Sequence, residues 1–496
     1  MTVVEATELR RSVGRGVVWA AVGNIVMRVA GICVTAVVAR ILSPHEFGVF
    51  AIALAVFVVV TSLAELGMAS AVARSVMEPE EIAGTVSSIS ILVSFGLATS
   101  MAVFAGPLAV LLGMPDAEDP IRVMSICLAL TGLFAVPGAQ LVRGFRQDRI
   151  LLGTLAGFVP ANAVLIFLAL TGHGAIAFSW SRVVGQVVTG LVFVACLDRR
   201  YRPEWRGELV GPLLRFGLPL ALANLINWTL LNADYLVLGR LLSAEQVGVY
   251  MIAFNVANWS TAVLGSVLNG VVLPAFGRVG DDIERLVEAL VSATRLVGLV
   301  ALPLAACTVA MAPSLIHVVF GEKWAGAAPV LSVLAVYGAC FAFTLLHVNM
   351  LVATGATTQL LVVQVVWVTA LVPAMIWGIE VRGLVGAAWA HVAVVLLVAL
   401  PGYVWAMRSR LARLPVALGL TLVRPALAAG LAGLSAWLCD RMVAGPAAGL
   451  AIGGVVAGCV YLVAARSMIE EDLPEVGRVL RRLTPGRRGG TGGAHQ

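Results

Sequence analysis

Residues 39–53 read ARILSPHEFGVFAIA, and residues 239–253 read GRLLSAEQVGVYMIA. Seven of the fifteen positions are identical at a constant offset of 200, and others match in kind, such as Glu46 with Gln246 and Phe50 with Tyr250. The same offset pairs Arg15 with Arg215 and Asn24 with Asn224. Residues 113–120 are echoed more weakly by 321–329. Two apolar runs resemble each other by composition alone, but shared glycine, serine and arginine positions at one fixed offset do not arise that way. The chain therefore reads as a duplication.

The surroundings of the two copies are apolar. Of 496 residues, 60% are hydrophobic and 12% charged, and the mean hydropathy is +0.98. A water-facing surface needs far more charge than this, whereas a bilayer solvates apolar side chains and needs roughly 20 of them per spanning helix. Long unbroken runs such as 52–63 and 384–401 lack the period-two alternation of barrel strands. Helices, which satisfy their backbone groups internally, fit such runs. Spans are expected at 16–38, 47–68, 83–105, 121–141, 151–171, 176–197, 213–238, 248–271, 289–311, 329–353, 359–380, 383–405, 416–438 and 446–466. The first is longer than a signal-peptide core and belongs to the repeat, so it is expected to be retained.

Charge orients these fourteen spans. With the N-terminus inside, 25 of the 33 basic residues fall in inner loops and tails, six in outer loops, and two (Arg28 and Arg182) within spans. This bias places both termini in the cytoplasm and explains the net charge of +6 without any nucleic-acid partner. Six spans separate the repeat copies, so both stand the same way up, as in transporters built from parallel repeats. The expected organisation is an all-α integral membrane protein. It has a cytoplasmic N-terminus (1–15), a six-helix N-lobe (16–200), a six-helix C-lobe (201–405), two further helices (406–466) and a partly disordered cytoplasmic tail (467–496).

An ionised group at mid-bilayer costs roughly 2.5–3.5 kcal/mol even on insertion scales, so it faces a cavity or a partner. Asn24, Arg28, Gly31 and Thr35 share one face of the first span. Arg28, near its middle, suits a phosphate or diphosphate ligand; the alternative is an ion pair with a carboxylate such as Glu65. Asn224, Asn227, Trp228 and Asp234 lie on one half of the seventh span, and Asn255, Asn258 and Trp259 on one face of the eighth. Amides pair with sugar hydroxyls, and aromatic faces cover pyranose rings; the alternative is hydrogen bonding between packed helices. Asp234 either titrates or binds a coupling ion, as Glu65 could, or is a structural anchor. In the sixth span Arg182 shares a face with Ser179, Gln186 and Thr189; it either contacts substrate or snorkels to the interface.

Other chemistry is not supported. The single lysine, Lys323, follows Glu322, so no GxxxxGK exists. The six histidines form no HExxH or paired ligand motif, and the seven cysteines no CxxC. The loops, about 15 residues at most, hold no catalytic domain. The reading is a non-enzyme with no cofactor and no metal.

The stretches RGVVW (15–19), ARILSPHEFGVF (39–50) and GRLLSAEQVGVY (239–250), the last preceded by Asn232 and Asp234, resemble the polysaccharide-exporter branch of the multidrug/oligosaccharidyl-lipid/polysaccharide flippase superfamily. The resemblance implies two six-helix lobes forming a V around a central cavity that opens alternately to each side. It also implies a substrate: an undecaprenyl-diphosphate-linked oligosaccharide, flipped outward across the bacterial inner membrane for surface polysaccharide biosynthesis. Arg28 would hold the diphosphate. Asn224, Asn227, Asn255 and Asn258 would line the glycan path. Polysaccharide polymerase and glycosyltransferases are the implied partners. A cation-coupled drug or small-solute antiporter, a lipid II flippase and a non-transport scaffold are the competing readings. Two features depart from the related families: Arg28 is almost alone as a cavity cation in the N-lobe, whereas lipid II flippases are more basic there, and drug exporters have two fewer spans.

Overall fold

A computed structural model of the chain describes residues 26–64, 79–144, 146–199, 201–267, 283–353, 356–407 and 414–472. Every regular element among them is helical. In chain order these are α1 (26–41), α2 (Pro44–Ala64), α3 (Pro79–Val103), α4 (Ala105–Leu111), α5 (Glu118–Arg143), α6 (Gln147–Leu170), α7 (Ile176–Ala195), α8 (Gly207–Leu231) and α9 (Ala233–Leu241). Then follow α10 (Ala244–Val267), α11 (Ile283–Val319), α12 (Ala327–Ala353), α13 (Thr357–Val394), α14 (Leu400–Met407), α15 (Leu414–Met442), α16 (Pro446–Ala464) and α17 (Arg466–Asp472).

A described helix overlaps each of the fourteen expected spans. Among the described residues ten apolar stretches are long enough to cross a membrane, and one of them, Thr358–Met407, runs for 50 residues. It holds two passes. Gly383 interrupts it at φ 58° and ψ −137°, and the chain reverses there so tightly that the backbones of Gly378 and Gly386 touch. Only glycine adopts that left-handed-side conformation without a Cβ penalty. Fourteen passes are compatible with this arrangement. The outward faces confirm the solvent: Leu397 is 75% exposed, Val463 78% and Phe167 64%. Large apolar side chains standing free over whole helices need lipid around them. Prolines inside α5, α6, α11, α13 and α15 fit the same setting, where neighbouring helices re-satisfy the freed carbonyls.

The chain divides into two compact units, Met1–Met251 and Ile252–Gln496. The first extends beyond the first repeat because α8, α9 and the start of α10 pack onto α2 and α3. Its loops sort to two ends. At one end Gly113 backs onto the Gly239 carbonyl, Gly174 lies beside the Glu46 carboxylate, and His45 is 3.3 Å from Asp116. All of these belong to expected outer loops. At the other end Arg146 and Arg149 share Asp198 at 3.5 and 3.0 Å, and Arg149 donates to the Cys196 carbonyl. The linker before α8 is pinned to α3: the Glu204 N–H donates to the Gly84 carbonyl (3.1 Å), and the Ser88 hydroxyl to the Glu204 carbonyl (3.0 Å). Arg206 grips the Glu204 carboxylate with two 3.0 Å bonds, which hold that exposed carboxyl below its usual pKa. These belong to expected inner loops. The alternation read from hydropathy is thus reproduced in space.

The two repeat stretches meet in this unit. Each opens with the same cap. The Ser43 N–H donates to Glu46 Oε2 (2.6 Å) and the Glu46 N–H to Ser43 Oγ (3.4 Å), while Ser243 and Gln246 repeat both bonds at 3.2 and 3.4 Å. These are capping boxes, in which serine at the N-cap and an acid or amide three residues later satisfy each other's backbone donors. One turn further on, α2 and α10 cross at Gly48 and Gly248. A Cβ on Gly48 would run into the Ala244 carbonyl, and one on Gly248 into the Pro44 carbonyl. The two contacts mirror each other at the same offset of 200.

The second unit has a core of Leu290, Val297, Leu346, Met350 and Tyr403 from α11, α12 and α14, with Trp367 of α13 packed against it. The extra helices α15 and α16 pack on α11 through Met311, Ala432, Ala436 and Ala457.

Candidate functional site

The polar residues expected to face a pathway lie in both units. In the first, Arg28 is exposed on α1. Thr35, on the same face, is half-buried and donates to the Gly31 carbonyl of its own helix (2.8 Å), so its hydroxyl is already occupied. Asn24 and Glu65 lie outside the described residues. Arg182 on α7 is exposed, with its guanidinium carbon 5.9 Å from the centre of the Phe57 ring. Gln186, one turn on, is half-buried. Ser179 is buried and donates to the Pro120 carbonyl (3.2 Å), which makes it a packing bond between α7 and α5. On α8, Asn224 is half-buried and Trp228 is 41% exposed, one turn apart; the Asn227 side chain lies outside the description.

Asp234 is 3% exposed. It stands in the first turn of α9, just after the helix breaks at Asn232 (φ −118°). Oδ1 accepts the Tyr235 N–H (2.9 Å), and Oδ2 accepts the Tyr250 hydroxyl (3.4 Å). A carboxylate at a helix start is favoured by the unpaired N–H groups there. Asp234 thus ties the start of α9 to α10.

In the second unit, Asn255 is half-buried and Asn258 exposed on α10, and the Trp259 ring lies 6.3 Å from Phe320. A second set of polar atoms escaped the sequence reading. Thr294 Oγ1, His347 Nε2, Trp367 Nε1 and the Tyr403 hydroxyl are buried on four helices around one core, without a hydrogen-bond partner among the described residues. His347 Nδ1 lies 2.7 Å from the Phe343 carbonyl, so Nδ1 carries the proton and Nε2 offers a lone pair. Tyr403 stacks beside it, with ring centres 6.3 Å apart. Single polar residues within apolar spans were the available signal, but no spacing rule links four helices. A buried hydroxyl with no partner is costly, so Tyr403→Phe is expected to leave stability unchanged or raise it by up to about 1 kcal/mol. Thermal melting of the purified variant checks this, and a lowered midpoint would show that the hydroxyl is bonded.

By side-chain chemistry, a guanidinium such as that of Arg28 pairs with anionic groups, and amides such as those of Asn224 and Asn255 pair with hydroxyls. Among the described residues no group of three or more His, Cys, Asp or Glu could hold a metal ion.

Comparison with known proteins places the chain. A family model described as "Polysaccharide biosynthesis protein" matches residues 37–329, more than half of the sequence. The chain belongs to this family. It is 32% identical over 307 residues to the succinoglycan biosynthesis transport protein ExoT of Rhizobium meliloti (strain 1021), a match covering 60% of each chain. It is 28% identical over 342 residues to the lipopolysaccharide biosynthesis protein WzxC of Escherichia coli (strain K12), covering 66% of this chain and 68% of that one. Among solved structures it resembles the lipid II flippase MurJ in an inward closed conformation, with a TM-score of 0.76 at 14% identity, over 92% of this chain and 100% of that one. An inward-facing multidrug resistance MATE family transporter of the MOP superfamily follows at 0.63 and 18%, covering 77% and 94%. At such identities the likeness is one of fold alone, a multi-pass helical fold.

Proposed function

We propose that the protein flips an undecaprenyl-diphosphate-linked oligosaccharide from the cytoplasmic to the outer leaflet of a bacterial inner membrane, by alternating access, for surface polysaccharide biosynthesis. The observation that carries this reading is the family match over residues 37–329, with relatives named for succinoglycan transport and lipopolysaccharide biosynthesis. The likenesses to MurJ and the MATE transporter support the fold that such a cycle needs and leave the substrate to other observations.

On this reading residues 16–200 and 201–405 act as two lobes, residues 406–466 add two helices, and both termini are cytoplasmic. Arg28 takes the diphosphate, since a guanidinium binds it with paired bonds. Asn224, Asn227, Trp228, Asn255, Asn258 and Trp259 line the glycan path, and Arg182 and Gln186 extend it. Asp234 and Glu65 are the carboxylates on which a coupling ion would act. The protein moves its substrate without altering it chemically and needs no cofactor. Glycosyltransferases supply the substrate, and a polymerase receives it.

Deleting the gene tests the function. Undecaprenyl-linked oligosaccharide is expected to accumulate at the cytoplasmic leaflet while surface glycan is lost, as read by lipid analysis and leaflet-selective labelling. Unchanged surface glycan together with raised dye or drug sensitivity would overturn the reading in favour of a drug exporter.

A further inference from the structure

A cavity of about 250 Å³ opens where α11, α15 and α17 meet, lined by Arg295, Leu420, Thr421, Arg424 and Met468. Its walls are built by packing. Met468 and Ile469 of α17 are buried against Leu299 and Ala428, and the Tyr461 hydroxyl donates to the Leu299 carbonyl at 2.6 Å. Gly298 of α11 lies against Leu422 of α15. The corner between α16 and α17 is thereby held onto the other two helices.

The lining carries two guanidiniums, a hydroxyl and no carboxylate. Thr421 and Arg424 are three residues apart, hence on one helix face. Arg295 and Thr421 also have bonds inside the protein. A guanidinium has five N–H donors and can keep such a bond while meeting a phosphate. The neighbouring Arg466 pairs with Glu470 at 3.1 Å. By the charge bias of the chain this end of α15 is the cytoplasmic one, and basic pockets between helices on that side suit anionic headgroups. A second observation selects a lipid over a free anion. From the cavity an exposed apolar stripe runs up α15: Leu420 (70% exposed), Val423 (50%), Leu427 (66%), Leu431 (55%) and Leu434 (54%). Their spacing of three and four residues keeps them on one face, along the direction an acyl chain takes below its headgroup.

We propose that Arg295, Thr421 and Arg424 bind the phosphate of an anionic membrane phospholipid whose acyl chains lie along the α15 stripe. This site is separate from the transport residues and does not rest on the transport reading.

The test is native mass spectrometry of the full chain in detergent, titrated with phosphatidylglycerol, phosphatidylcholine or inorganic phosphate. Wild type is expected to retain phosphatidylglycerol in preference to phosphatidylcholine. Arg295→Gln with Arg424→Gln is expected to weaken phosphatidylglycerol about tenfold or more, as loss of charge-assisted pairs requires. Arg295→Lys with Arg424→Lys keeps the charge but not the planar fork, and an intermediate loss is expected. This pair also carries the test if the glutamine variant aggregates. Arg146→Gln with Arg149→Gln, in an expected inner loop of the first unit, is expected to retain lipid as wild type does. Equal retention of the two lipids, or unchanged phosphatidylglycerol binding in the glutamine variant, would overturn the proposal. So would binding of inorganic phosphate with no preference among lipids.

Discussion

Gly48→Leu is expected to abolish export and to destabilise the protein by about 3 kcal/mol, the upper end of the usual overpacking cost. The reason is what the new side chain meets. Most core substitutions push against side chains that can rotate away; at Gly48 a Cβ meets the Ala244 carbonyl, which belongs to the backbone of α10. The helices must separate, and the capping boxes of Ser43 with Glu46 and Ser243 with Gln246 lie one turn away. On the proposed cycle these stretches stand at the outer end, so holding them apart removes one of its closed states. Gly248→Leu is expected to match it, because Gly248 meets Pro44 in the same way. The double variant is expected to cost less than the two singles added together, since one separation relieves both collisions. Gly96→Leu is the control: nothing lies within 4 Å of a Cβ there, and full export is expected. Complementation of a deletion strain, scored by surface glycan and by thermal melting of purified protein, reads all four. Normal export by Gly48→Leu would show that the crossing is not used in transport.

Arg28→Ala is expected to lower export about tenfold to a hundredfold, the worth of a lost charge-assisted hydrogen-bond pair, while leaving membrane insertion and melting unchanged. Arg28 is exposed in the folded chain and falls near the middle of the span expected at 16–38. A guanidinium there has little structural reason to remain unless water or an anion reaches it. Arg28→Lys retains the charge without the planar fork, so partial export is expected. Full glycan export by Arg28→Ala would remove this residue from the mechanism. Loss of export accompanied by loss of insertion would make it a structural residue instead.

The fold was largely legible because hydropathy is a one-dimensional signal and a bilayer enforces it along the chain. Span positions, alternation of loops and the duplication all came from local runs and fixed offsets. The ends of helices were less so. α11 was expected over 289–311 and runs from Ile283 to Val319, because its first turns carry Glu284, Arg285 and Glu288 and escape an apolar window. The sharp reversal at Gly383, by contrast, falls at the boundary expected between the spans 359–380 and 383–405. The Ser-x-x-Glu and Ser-x-x-Gln caps were in plain view at 43–46 and 243–246 and announce helix starts.

The candidate site was legible only as residue types on helix faces. Which polar groups already have protein partners is set by residues distant in sequence or by the helix itself: Ser179 by Pro120, Thr35 by Gly31, Asp234 by Tyr250. Only the Thr35 bond, four residues back on its own helix, follows a spacing within one span. The four buried polar atoms around Tyr403 come from four helices and share no local pattern.

The crossing of Gly48 and Gly248 has the form of an isologous contact: Pro44 meets 248 as Ala244 meets 48. Such reciprocity is what a two-fold dimer makes at its axis. A half-length chain carrying one copy of the stretch could have closed this contact by pairing with a second molecule of itself. Fusing the two would have let each copy diverge while Gly48 and Gly248 stay held, each by its twin's backbone.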